Sequence, residues 1–143
     1  MFTNVLENHP PVRAVIWDLD GMVIQINQSE NEMSLADLES LVLFILALGQ
    51  EYRMVVLSHQ SEAMAVHLGS FEKLLLPLKD GRTDDYHLAL HRLAVQPRQS
   101  VIVGVDPLRL TDANRMGFQT VAFHNPRQMA SELLPLLAEP LPM

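Results

Sequence analysis

Apolar positions in this chain come in two rhythms. Short unbroken runs such as "RAVIW", "RMVVL" and "SVIV" are rich in β-branched residues, and between them lie longer stretches with apolar residues three and four apart. Pro10 and Pro11 block a helix, so the first run predicts a strand over residues 13–18. Ser34 and Asp37 resemble a capping box and Gly49 a helix stop, which frames a helix through "LADLESLVLFILAL". A second buried strand is expected at about 52–57, and a short helix that Ser61 caps and Gly69 ends. A third strand is expected within "KLLLPL", with Pro77 near an edge. Thr83 precedes "DDYHLALHRLAV", where Tyr86, Ala89, Leu90 and Leu93 share one helical face. "SVIVGV" is the fourth strand, "LRLTDANRMG" a helix closed by Gly117, and "FQTVAF" the fifth strand. Asn125 and Pro126 open a last helix that Pro135 ends or kinks.

Strands that alternate with helices in this way imply an α/β fold. We expect a three-layer Rossmann-like sandwich with a five-stranded parallel sheet, helices on both faces and right-handed crossovers. The unbroken apolar strands fit burial on both sides. The expected organisation is a single domain over 1–143, with its core at about 13–134. Ligands in such sheets bind beyond the carboxyl ends of the strands. Here those ends carry Asp18 to Gly21, Ser58 to Gln60, and Gly104 to Asp106.

Composition narrows the classes of function. Ten Lys and Arg against 17 Asp and Glu give a formal net charge of -7, which argues against nucleic acid or an anionic membrane as the main partner. The absence of cysteine excludes thiol catalysis, disulfides and thiolate metal sites. The first residues lack a basic start and apolar stretch, and Leu41 to Leu48 falls short of the roughly 20 residues that span a bilayer. A cytoplasmic protein without a membrane segment is the expectation.

Asp18 and Asp20 stand one residue apart at the exit of the first strand. Two carboxylates this close repel, and a hard cation such as Mg²⁺ relieves the repulsion. With one as nucleophile at phosphorus and the other handling the proton of the leaving group, the pair suits phosphoryl transfer. The competing reading is a pair of turn aspartates favoured before Gly21. Ser58, directly after the second strand, is either a phosphate-oxygen donor or a turn serine. His87 and His91 are one helical turn apart, but no third ligand accompanies them, and a solvated helix face is the expectation.

At the residues "DLDG" the chain resembles the haloacid dehalogenase-like (HAD) superfamily. The resemblance runs over roughly residues 13–124. It rests on Asp18-Leu19-Asp20-Gly21 after an apolar strand, on "MVVLS" ending in Ser58, and on "DDYHLALHRLAVQPRQSVIVG" followed by "DANRMGFQTVAF". By this resemblance Asp18 is the nucleophile that forms an aspartyl-phosphate, Asp20 the general acid/base, and Ser58 a phosphoryl ligand. Mg²⁺ would sit on the Asp18 carboxylate and the Asp20 backbone carbonyl. Met22 departs mildly from the usual threonine or valine. Lys79 is the candidate for the lysine that stabilises the phosphoryl group, with Arg82 as a second cation. The family's fourth motif places metal-binding acids where this chain has Val105 and Arg109. Asp106, one residue late, is the remaining candidate metal ligand, with a turn aspartate before Pro107 as its alternative. Arg109 itself offers another solution: a guanidinium in the place of the metal, paired with Asp18 or Asp20.

Neither place where the family inserts a cap domain is long enough here to hold one. A capless site is open to a macromolecular phosphorylated substrate, or to a cap supplied by another subunit in a homo-oligomer. Two functions therefore stand at this stage. The first is a Mg²⁺-dependent phosphohydrolase using Asp18, Asp20, Ser58 and Lys79, with metal on Asp18, Asp20 and Asp106. The second is a catalytically inactive HAD-like domain that serves as a binding or regulatory module.

Overall fold

The computed structural model describes residues 12–18, 33–58, 75–77 and 84–137. In chain order the elements are β1 (Ala14–Asp18), α1 (Met33–Gly49), β2 (Arg53–Ser58), β3 (Leu75–Pro77), α2 (Asp84–Leu93), β4 (Ser100–Gly104), α3 (Pro107–Met116), β5 (Gln119–Ala122) and α4 (Pro126–Leu133). The result is a mixed α/β fold around a parallel sheet. Strands β2, β1, β4 and β5 form its body, and the three-residue β3 completes one edge, giving the order β3-β2-β1-β4-β5. The chain thus builds outward from β1 in one direction and then returns to build from β4 in the other. The crevice at this reversal lies between the carboxyl ends of β1 and β4.

Strand parity decides what each face meets. Val15 and Trp17 of β1 join Val56, Val101, Val103 and Val121 on one side, packed under Leu41, Ile45 and Leu48 of α1 and Met129 and Leu133 of α4. Ala14 and Ile16 join Val55, Leu57 and Ile102 on the other side, under Tyr86, Ala89, Leu90 and Leu93 of α2 and Leu110 and Ala113 of α3. The four residues from Ala14 to Trp17 are all buried, as a central parallel strand requires. The Trp17 indole N–H donates to the Met54 sulfur at 3.2 Å, and the Trp17 ring meets Phe44 edge-on with 6.4 Å between centroids.

The helix termini follow local chemistry, with some departures from expectation. α4 opens as anticipated: the Asn125 side chain accepts from the Gln128 N–H at 2.8 Å, and Pro126 takes the first turn. α3 starts one residue earlier than "LRLTDANRMG", because Pro107 fits a first helical position and Asp106 supplies the cap. α1 begins at Met33, so Ser34 lies inside the helix and not at its cap. α2 ends at Leu93, where Ala94 turns to φ 55°, two residues before the expected end at Val95. The expected helix over 61–69 lies outside the described residues. No helix among the described residues is long and apolar enough to cross a membrane.

Gly117 closes α3 at φ 104°, and its N–H bonds back to the Ala113 and Asn114 carbonyls. A Cβ there would meet Pro97 at an ordinary 3.5 Å, so the barrier to substitution is conformational and not steric crowding. Gly117→Ala should lower stability by about 1–2 kcal/mol, read as an earlier urea midpoint with unchanged slope.

Candidate functional site

Alternation along β1 puts Asp18 on the same side as Ala14 and Ile16, the side covered by α2 and α3. Its neighbours follow from that parity. Tyr86, on the buried face of α2, donates its hydroxyl hydrogen to Asp18 Oδ2 at 3.3 Å. Arg109, in the first turn of α3, donates its Nε–H to the same oxygen at 3.0 Å. The guanidinium also lies over the Tyr86 ring, 4.8 Å from its centroid. Phe118 meets Tyr86 from another side, with ring centroids 5.9 Å apart. Gly104 ends β4 beside this cluster, and a Cβ at that position would come within 3.3 Å of the Asp18 Cβ. Lack of a side chain at 104 therefore lets the acid stand at the crevice without displacing its neighbours.

The pair is largely withdrawn from water: the side chains of Asp18 and Arg109 are only 15% and 16% exposed. Burial works against the Arg109 charge, but the Asp18 carboxylate, then Tyr86, outweigh it and raise the guanidinium pKa further. Tyr86 is held as the neutral phenol. Burial is the larger cause and the adjacent Asp18 charge the next, with Arg109 opposing both.

The other sequence candidates divide into two groups. Ser58 ends β2, and the register sets Leu57 opposite Asp18, so Ser58 lies one residue further along. Asp106 caps α3, its Oδ1 accepting from the Leu108 N–H at 3.0 Å. Val105 is partly buried against the α1 side of the core. His87 and His91 are both exposed on α2. Asp20, Lys79 and Arg82 lie outside the described residues. Of the two partners offered to Arg109 by the sequence, the structure brings it to Asp18. Tyr86 was legible only as a core residue. The signal that it belongs to the site was its hydroxyl, which on a buried helix face needs a polar partner.

No family model matches the chain, and no curated protein matches it. Among solved structures, the crystal structure of an uncharacterized protein from Corynebacterium glutamicum ATCC 13032 Kitasato is similar at a TM-score of 0.62. That similarity covers 91% of this chain and 99% of the other, at 16% sequence identity. At this identity the likeness establishes a shared fold.

Because Tyr86 is kept neutral in the folded protein, the unfolded chain, in which it ionises near 10.0, releases its proton first as pH rises. The stability it contributes is intact below about pH 10 and falls progressively above it. Urea unfolding followed from pH 8 to pH 11 should show that decline, and Tyr86→Phe should flatten it. An equal alkaline decline in both proteins would remove Tyr86 as its source.

Proposed function

We propose that this chain is a capless HAD-like domain whose strand-end aspartate has been converted from a phosphoryl-transfer nucleophile into one half of an internal ion pair, and that it acts as a binding or regulatory module. The observation that carries this reading is the 3.0 Å contact between Arg109 Nε and Asp18 Oδ2. Oδ2 of Asp18 accepts from both Arg109 and Tyr86, so the carboxylate is already compensated by a fixed cation and a second donor of this chain's own.

The same contact bears on magnesium. Three oxygen donors were expected for the ion. Asp20 is outside the described residues, Asp106 is engaged in capping α3, and Asp18 faces a guanidinium. Among the described residues no three Asp, Glu or His side chains gather as a metal would require. A divalent cation at Asp18 would meet a fixed positive charge at contact distance, so this arrangement does not fit Mg²⁺.

The phosphohydrolase reading keeps one observation in its favour: Asp18 ends the central strand at the crevice, where ligands of such sheets bind, and Asp20 follows it in sequence. Hydrolysis of p-nitrophenyl phosphate in Mg²⁺ separates the two. The wild-type protein should release nitrophenol no faster than Asp18→Asn does. Mg²⁺-dependent turnover that disappears in Asp18→Asn would establish the enzyme.

A further inference from the structure

We infer that the end of the sheet opposite Asp18 is a docking surface for a short, carboxylate-rich segment of a partner protein. This rests on the binding-module reading above and supplies it with a surface and a partner chemistry. Arg13, Arg53, Arg92 and Arg98, four of the ten Lys and Arg, gather at the amino ends of the strands, although the chain carries a net charge of -7. They reach this edge from four separate segments. Ala14 of β1 stands opposite Arg53 of β2 on one side and Ser100 of β4 on the other, so Arg13 and Arg53 mark neighbouring strand entries. The Arg13 N–H donates to the Gln99 carbonyl at 2.8 Å, which brings in Arg98. Arg53 Nη1 donates to the Leu93 carbonyl at 3.0 Å, which brings in Arg92. All four arginines are exposed, and among the described residues no carboxylate pairs with any of them.

Part of this charge has a local reason. The helices run back against the strands, so their carboxyl termini lie at this end and favour cations there. That accounts for Arg92 in the last turn of α2 and for Arg53 on the Leu93 carbonyl. Arg115 of α3 belongs to the same end but faces Asp112, 3.8 Å away. Arg13, at the entry to β1, and Arg98, in the short turn Pro97–Gln99, have no such reason. The described acids at this end are Glu51, two residues before Arg53, and Glu132 in the last turn of α4. Cation is therefore in excess, and it is all arginine, whose planar fork pairs bidentately with carboxylates. A hollow bordered by Gly49, Tyr52, Arg53 and Met54 opens beside it, a seat for one apolar side chain of the segment. The remaining charge of the chain sets the size of the partner. Screening confines the attraction to about 8 Å at physiological salt. A short acidic segment meets the arginines alone, whereas a nucleic acid or an anionic membrane extends over a surface whose net charge repels it.

Anisotropy of a fluorescein-labelled oligoglutamate peptide titrated with the full chain tests this. Binding should saturate, and raising NaCl from about 50 to about 300 mM should weaken it at least threefold. Arg13→Gln combined with Arg98→Gln should weaken it roughly tenfold at an unchanged Tm, since both side chains are exposed. If the pair of changes lowers the Tm, the single variants, each roughly threefold weaker, carry the test. Arg127→Gln, in the first turn of α4 at the opposite end, should bind as wild type does. Absence of saturable binding, or equal binding by the arginine variants, overturns the inference. So does tighter binding of an oligothymidylate of the same length that the variants lose, which would make the partner a nucleic acid. None of these results touches the Asp18 pair, which is read by unfolding. Mg²⁺-dependent release of nitrophenol would instead overturn the binding-module reading and leave the measured peptide affinity as it is.

Discussion

A carboxylate at the end of the central strand of a doubly covered sheet has to be compensated, and in this protein the compensation is Arg109. Asp18 is largely shielded from water, and a charge so placed is costly unless it is paired and hydrogen-bonded. Arg109 supplies charge and a directed donor, and Tyr86 adds a second donor on the same oxygen. The cluster links β1, α2 and α3, three elements brought together by the packing on one side of the sheet. Its members tolerate individual conflicts for the sake of the whole. An arginine sits in the turn of α3 that repels cations, and a tyrosine is kept from ionising by its burial and then by the acid it binds.

This arrangement also gives Asp18 a structural reason to stand at the strand end. Once Arg109 is buried beside it, loss of Asp18 would strand a guanidinium that has no proton to give up, and loss of Arg109 would strand the carboxylate. Each partner therefore makes the other necessary, whether or not the pair outperforms two apolar residues of equal volume. Gly104 belongs to the same account, since its missing side chain makes the space in which Asp18 stands. The exposed leucines are less informative. Leu43 on α1 is 65% exposed and Leu108 on α3 is 76% exposed, but they stand on helices that pack against opposite faces of the sheet.

Much of the fold was legible because it depends on local rules. Unbroken β-branched runs mark doubly buried strands, and Asn125-Pro126 and Gly117 mark helix ends through capping and left-handed backbone. The departures occur where those rules are weak. Ser34 has the chemistry of a cap, but α1 extends past it, and α2 stops at a non-glycine residue, Ala94, that carries no stop signal. Asp106 could have been read as a cap from the Pro107 that follows it, by the rule applied to Asn125. At the site, Asp18 was visible from its place at a strand end. Arg109 was visible from the sign of its charge at a position where the resemblance leads one to expect an acid. That Asp18 is its partner was not visible, because both aspartates fall on one side of an extended strand and the sequence does not say how far along β1 the first turn of α3 reaches. Tyr86 was hidden because a sequence shows a buried helical face but not which polar atom waits beneath it at the strand end.

A double-mutant cycle tests the central claim most directly. The stabilities of wild type, Asp18→Asn, Arg109→Met and the double variant would be measured by urea unfolding. If Asp18 and Arg109 form the pair on which the site depends, each single change should cost more than its share of the double change. The coupling should be about 1–3 kcal/mol. Losses that simply add, with coupling indistinguishable from zero, would contradict the account.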